Sequence, residues 1–250
     1  MVWFDLADWR TYPVSGSRAY FALIQVGGGN ILPLSQLTKQ QIVDLANWRC
    51  PHRHSGLDHY HCWLEEAQKT QRWCILDLET SNLNAPFGIL LCWGIKEYGK
   101  DEIHQGAITK ADLAKDTLDR RLISDCVDVL GRFDTVITYF GTGFDIKWLR
   151  SKSLHYGIEF PPYGSIRHID IYYIVKNRLK LGRSSLDNAC EYLGISGKTR
   201  INWDNWLYAM TQAKKSAVDD IVEHNKQDLI ITERLYDKLK PYAKLIRRSI

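Results

Sequence analysis

The chain has 250 residues, of which 45% are hydrophobic and 25% are charged. These values are close to globular averages and exclude a largely disordered chain. With 33 Lys and Arg against 29 Asp and Glu, the net charge is +4, which is compatible with nucleic-acid binding but too small to indicate it. No uncharged apolar run approaches the roughly 18 residues that a membrane span requires.

The cysteine content and the N-terminal residues point to a reducing compartment. Six cysteines are too few for a disulfide-rich secreted fold. Four of them, Cys74, Cys92, Cys126 and Cys190, lie in apolar patterns typical of buried thiols. No secretory signal is expected, because the chain begins with the acidic and aromatic residues MVWFDLADWR. We therefore expect an intracellular, cytoplasmic protein without a membrane partner.

Residues 1–49 form a segment unlike the rest of the chain. Two short apolar runs, YFALIQV and NILPL, flank three glycines and are followed by a pattern that predicts a helix, SQLTKQQIVDLANW. Ser35 or Thr38 is the candidate cap of that helix. The segment has too little core to fold alone.

The stretch CPHRHSGLDHYHC, at 50–62, holds four of the eight histidines. Its two end pairs, Cys50 with His54 and His59 with Cys62, have the spacing of zinc-finger ligands. His52 and His61 are competing ligands. The linker between the pairs is short, so the sequence predicts a compact knuckle with one structural Zn²⁺; the alternative is an exposed histidine-rich loop.

From residue 73 the pattern becomes α/β. We expect strands in WCILDLET, FGILLCWGIK, TVITYF and the first half of IRHIDIYYIV, and helices at 108–133, after Asp145, in SSLDNACEYLGI and at 217–239. This order predicts a mixed sheet flanked by helices. Taken with the two preceding stretches, the pattern divides the chain into an N-terminal segment (1–49), a zinc knuckle with linker (50–72) and an α/β domain (73–250).

Acidic residues interrupt these apolar elements. Asp77 and Glu79 project from one face of the first strand, because side chains alternate with period two. Asp145 follows the buried strand TVITYF, where α/β folds expose functional residues. His224 and Asp228 share a face of the last helix at i and i+4. Clustered carboxylates select hard divalent cations; the alternative for each residue is an ordinary polar surface.

Together these segments resemble the DEDD 3′–5′ exonuclease superfamily, which has a ribonuclease H-like fold. The first motif is DLET, the second TYFGTGFDIKWL and the third HNKQD, and the resemblance covers about 73–240. An Asn common in the second motif is Gly141 here. His224 has the spacing to Asp228 at which one branch of the superfamily carries a tyrosine.

The resemblance implies a metal-dependent 3′–5′ exonuclease that hydrolyses phosphodiester bonds at single-stranded nucleic-acid ends. Two Mg²⁺ or Mn²⁺ ions would be bound by the four acids, and His224 would accept the proton of the attacking water. The residues that carry this chemistry are Asp77, Glu79, Asp145, His224 and Asp228.

Three questions stay open at the level of sequence. The chain is compatible with a non-catalytic nucleic-acid-binding module or a structure-selective endonuclease on the same fold. The sequence does not distinguish a DNA substrate from an RNA substrate, because no element in it is diagnostic of a 2′-hydroxyl contact. Phe144, Trp148 and Tyr173 are candidates for stacking on bases, although core packing is the alternative for each.

Overall fold

A computed structural model of the chain describes residues 39–50, 53–59, 62–63, 71–197, 199 and 201–243. The predicted segment 1–49 therefore lies outside the described residues except for 39–49, and so do both candidate caps, Ser35 and Thr38. The helix expected after them is present as α1 (Lys39–Asn47).

A five-stranded mixed sheet forms the centre of the α/β domain. Its strands are β1 (Trp73–Thr80), β2 (Leu90–Glu97), β3 (Ile103–Ala107), β4 (Thr135–Thr138) and β5 (Arg167–Asp170). The spatial order is β3-β2-β1-β4-β5. The pairs β1–β2 and β2–β3 are antiparallel, whereas β1–β4 and β4–β5 are parallel. The expected ribonuclease H-like mixed sheet is thus confirmed.

Helices cover this sheet. They are α2 (Lys110–Leu113), α3 (Arg120–Leu130), α4 (Asp145–Tyr156), α5 (Ile171–Arg178), α6 (Leu186–Tyr192), α7 (Trp203–Gln212) and α8 (Lys215–Leu239). Two 3₁₀ turns occupy Ala85–Phe87 and Lys240–Tyr242. The predicted long last helix is confirmed as α8, while β3 and α7 were not predicted.

The single helix expected over 108–133 is wrong, because the structure divides it into α2 and α3. Leu118 takes a left-handed φ of 38° between them. The next residue, Asp119, is fully buried and accepts hydrogen bonds from the Leu90 backbone N–H (2.7 Å) and the Tyr156 hydroxyl (2.5 Å). Its carboxylate also lies 3.0 Å from Lys152 Nζ. These long-range contacts hold the chain against the sheet where a helix would otherwise continue.

Strand β1 separates two apolar clusters. Leu76 and Leu78 belong to one, together with Leu122 and Leu149. Ile75 belongs to the other, where helix α8 contributes its own apolar residues Leu229, Ile231 and Leu235. Because side chains alternate along a strand, Asp77 and Glu79 continue the face of Ile75 and meet α8.

Candidate active site

Asp77 meets helix α8 through Asn225. The side-chain nitrogen Nδ2 of Asn225 donates hydrogen bonds to Asp77 Oδ2 (2.8 Å) and to the Asp77 carbonyl oxygen (3.0 Å). Asn225 is fully buried. Sequence reasoning missed this residue, although it lies three positions before Asp228, a spacing that places both on one side of α8.

His224 links the first strand to the last helix. Its Nε2 lies 3.9 Å from Glu79 Oε1 and 3.9 Å from Asp228 Oδ2. Its other ring nitrogen, Nδ1, lies 2.7 Å from Thr199 Oγ1. One edge of the imidazole therefore faces two carboxylates from different elements, while the other edge is held by a hydroxyl group.

Asp145 is the first residue of α4 and is almost completely buried. Its Oδ1 accepts a hydrogen bond from the backbone N–H of Leu78, at 3.2 Å, between Asp77 and Glu79. Burial, with a smaller contribution from the negative charge of Asp170, raises the pKa of Asp145 to about 7. A cation bound beside this carboxyl group would favour its ionised form.

Asp170 fixes the turn that leads into α4. Its carboxylate accepts hydrogen bonds from the backbone N–H groups of Phe140 (2.8 Å), Thr142 (3.0 Å) and Tyr172 (3.1 Å). Phe140 has a φ of 66°, a left-handed conformation that is unusual for a bulky residue. Asp170 was not predicted, although an aspartate that ends a buried strand and begins a helix is a recognisable signal.

The structure thus brings the five predicted site residues to one end of β1. Asp77 and Glu79 lie on the strand, Asp145 bonds to the peptide between them, and His224 spans Glu79 and Asp228. Among the described residues, no three of these acidic and imidazole groups bring their ligand atoms within 4.8 Å of one another. The hard oxygen donors of these carboxylates are of the kind that suits Mg²⁺ or Mn²⁺.

A second group of side chains, which could hold a metal ion, lies in the loop after α1. Cys50 Sγ is 3.5 Å from His59 Nδ1 and 3.9 Å from His54 Nδ1, and the two imidazole rings are 4.1 Å apart. One ligand atom from each residue lies within 4.8 Å of the others. Cys62 is described but does not join this group. The competing ligands His52 and His61 lie outside the described residues.

An open cleft of about 290 Å³ adjoins the acidic site. Its lining residues include Glu79, Leu83, Phe144, Trp203, Trp206 and Met210. Trp203, at the start of α7, is 69% exposed. Of the three predicted stacking residues, only Phe144 lines this cleft. Trp148 is buried and donates to the Asn82 carbonyl oxygen, and Tyr173 packs edge-on against Tyr172.

Comparison with known proteins agrees with this geometry. Residues 74–240 match the family model of the RNase H superfamily. Since the match spans more than half of the chain, the protein belongs to the RNase H superfamily. The predicted resemblance to DEDD exonucleases, which share this fold, is thereby confirmed.

A solved structure shows the same fold. The chain is similar to the family B DNA polymerase from the hyperthermophilic archaeon Pyrobaculum calidifontis, with a TM-score of 0.56 and 19% sequence identity. The match covers 68% of this chain but 25% of the polymerase chain, so our chain spans about a quarter of the polymerase's length. No curated protein matches the sequence. Within the described part of the chain, every helix is too short or too polar to cross a membrane.

Proposed function

We propose that the protein is a metal-dependent 3′–5′ exonuclease that hydrolyses phosphodiester bonds at single-stranded ends of DNA or RNA. Membership of the RNase H superfamily supports nuclease activity in general. The observation that carries the proposal is the position of His224, whose Nε2 faces both Glu79 and Asp228 at the end of β1. A purely structural helix–sheet contact would have no need of acids on both elements beside an imidazole.

The four acids would hold two divalent cations. Asp77, Glu79, Asp145 and Asp228 offer carboxylate oxygens, which Mg²⁺ and Mn²⁺ prefer. When bound, such ions supply an activated water and stabilise the leaving oxygen of the phosphodiester.

His224 is the proposed general base. When its Nδ1–H donates to Thr199 Oγ1, the lone pair of the neutral ring lies on Nε2, the atom that faces the carboxylates. Nε2 can then accept a proton from a water molecule at the site. Thr199 holds the ring so that this atom stays directed at Glu79 and Asp228.

The cleft beside Glu79 favours an unpaired strand end as the substrate. Trp203 and Phe144 provide aromatic surface on which a nucleobase can stack, and stacking does not require a particular base. A base within a duplex would have to leave its stack to enter this cleft. The cleft shares Glu79 with the acidic site, so a base held there would bring its phosphate close to the carboxylates.

One assay tests the proposed function. Single-stranded DNA and RNA of the same sequence, each labelled at the 5′ end, are incubated with Mg²⁺ or Mn²⁺, and a circular single strand is included. We expect a ladder that shortens from the 3′ end and no cleavage of the circle. Cleavage of the circle would indicate the endonuclease alternative, and binding without products would indicate the non-catalytic module.

We also propose that one structural Zn²⁺ is bound by Cys50, His54 and His59, with Cys62 still the predicted fourth ligand. Their ligand atoms already lie close together, and Cys and His are the usual zinc ligands. Gly56 of the same loop lies against Leu45, since a Cβ at Gly56 would be 2.6 Å from Leu45 Cδ1. A bound zinc would therefore stiffen the contact of this loop with α1.

The proposed zinc site supports the proposed domain boundaries. All four proposed ligands lie within the knuckle (50–72), so the zinc would order the segment between the N-terminal segment (1–49) and the proposed catalytic domain (73–250), whose sheet begins at Trp73.

A further inference from the structure

We infer that Asn225 is a positioning residue, whose side-chain amide holds the carboxylate of Asp77 in the orientation that binds a divalent cation. The inference rests on the proposed metal-dependent function and adds to it a residue outside the ligand set.

The contacts of Asn225 restrict Asp77 at two points. The nitrogen Nδ2 donates both to the side-chain oxygen Oδ2, at 2.8 Å, and to the backbone carbonyl oxygen of Asp77, at 3.0 Å. Since one donor group holds both the main chain and the side chain, the side-chain torsions of Asp77 are confined to values that keep the carboxylate beside α8. Hydrogen bonds of this kind commonly orient metal ligands in proteins.

Stability alone does not explain an asparagine at this place. The side chain is fully buried, and its oxygen Oδ1 has no hydrogen-bond partner among the residues that the structure describes. A buried amide oxygen without a partner is unfavourable, whereas an apolar side chain of similar size would pack without that cost. The amide is therefore better explained by what its nitrogen does to Asp77.

The facing strand is shaped to admit this amide. Gly94 on β2 is the cross-strand partner of Asp77. A Cβ atom at position 94 would overlap Asn225 Oδ1 and come within 2.6 Å of Leu229 Cδ1. Glycine at position 94 thus leaves the space in which the amide of Asn225 reaches Asp77.

The neutrality of the donor matters for the chemistry. A lysine or arginine at position 225 would form an ion pair with Asp77 and compete with a metal ion for its charge. An amide N–H orients the carboxylate and leaves its full negative charge for the cation. Asn225 is therefore suited to a carboxylate that must bind metal, rather than to one that forms a structural salt bridge.

The test measures metal binding directly, by titrating the full chain with Mn²⁺ in a calorimeter. Asn225→Ala should weaken Mn²⁺ binding by about 10- to 100-fold, the usual effect of removing a group that orients a metal ligand. Thr232→Ala is the matched control, because Thr232 is a buried polar residue of the same helix, seven positions beyond Asn225. It should leave Mn²⁺ affinity within about twofold of wild type.

Two further variants distinguish a role of Asn225 in positioning Asp77 from a role in folding. Gly94→Ala should displace the amide from the β2 side and weaken Mn²⁺ binding in the same way, without removing a polar group. In an Asp77→Asn background, Asn225→Ala should cause no further loss of affinity, because the oriented ligand is already absent. Melting curves in EDTA identify any variant that fails to fold.

The outcomes distinguish the inference from the function on which it rests. If wild type binds Mn²⁺ and both Asn225→Ala and Gly94→Ala bind it equally well, Asn225 does not position the ligand and the proposed nuclease is unaffected. An additive loss in the Asp77→Asn background would also overturn the positioning role. If wild type binds neither Mn²⁺ nor Mg²⁺, the metal-dependent function itself fails.

Discussion

Asp145 Oδ1 lies 3.2 Å from the backbone nitrogen of Leu78, the residue between Asp77 and Glu79. This hydrogen bond joins the start of α4 to β1 across 67 positions of the sequence. The bond holds the buried carboxyl group of Asp145, whose pKa is raised to about 7, against the strand that contains Asp77 and Glu79. The acidic site is therefore assembled when α4 docks on β1.

The buried carboxyl of Asp145 should make the metal-free protein less stable as the pH rises. An aspartate in an unfolded chain has a pKa of about 3.9, whereas burial raises the pKa of Asp145 to about 7. The cost of ionising the buried group is absent below about pH 4, grows between about pH 4 and 7, and is complete above that range. Asp145→Asn removes this cost and still accepts the hydrogen bond of Leu78.

The measurement for Asp145 is a series of melting curves in EDTA. At about pH 8 the Tm of Asp145→Asn should exceed that of wild type by roughly 3 °C or more, and the difference should shrink toward about pH 5. Adding Mn²⁺ at the higher pH should stabilise wild type more than the variant. A difference in Tm that does not change with pH would show that ionisation of Asp145 has no part in stability.

Asp77→Asn should abolish most of the nuclease activity. The asparagine keeps the shape of the side chain and an oxygen for Asn225, but it removes a charge from the metal site. We expect turnover to fall by roughly three orders of magnitude or more, as it should in excess EDTA. Asp101→Asn, an exposed acid between β2 and β3, is the matched control and should be fully active. Full activity of Asp77→Asn would contradict the metal-ligand assignment.

Much of the fold and of the acid set could be predicted because both depend on local periodicity. Period two places Asp77 and Glu79 on one face of β1, and the i, i+4 spacing places His224 and Asp228 together on α8. The structure confirms both of these elements. The order of strands and helices then indicates the mixed sheet.

The features that were missed depend on contacts between distant residues. The break before α3 depends on the burial of Asp119 against Leu90, and the role of Asn225 depends on its hydrogen bonds to Asp77. Strand β3, with the sequence IHQGA, is mostly half-buried and has no clear alternation. Such features follow from packing between distant parts of the chain, which the period of a single element does not reveal.

Zinc should be present at about one ion per chain in protein purified without chelators. His59→Ala removes a ligand of the Cys50 group and should lower the Tm more than it lowers turnover, because a structural zinc stabilises the fold without touching substrate. Cys62→Ser tests the predicted fourth ligand in the same way. His104→Ala, on β3, is the control for loss of a histidine elsewhere. Protein free of zinc by elemental analysis would leave the exposed-loop interpretation.

Trp203→Ala should weaken substrate binding more than catalysis. Loss of one stacking contact raises the dissociation constant of a single strand by roughly 5- to 100-fold, so KM should rise while kcat changes little. Tyr192→Ala removes an equally exposed aromatic residue on α6 and serves as the control. An unchanged KM for Trp203→Ala would show that the cleft does not hold the terminal base.

His224→Ala should reduce turnover by about 10²- to 10⁴-fold, the usual contribution of a general base, while Mn²⁺ binding survives. The protonated ring cannot accept a proton, so the wild-type rate should rise with pH through the range in which an imidazole titrates, ordinarily about 6.5. This rise should be absent from the alanine variant. His224→Tyr restores the residue expected at this spacing from Asp228 and should retain more activity than alanine.

Thr199→Val tests the hydroxyl group that holds the imidazole ring of His224. It removes the hydroxyl that holds His224 Nδ1 at 2.7 Å but leaves the ring in place, so its rate should fall less than that of His224→Ala while its rise with pH persists. The deciding comparison is the pH–rate profile of wild type beside His224→Ala. If alanine changes neither the rate nor the profile, the imidazole between Glu79 and Asp228 is not the base, and the bound metal alone must activate the water.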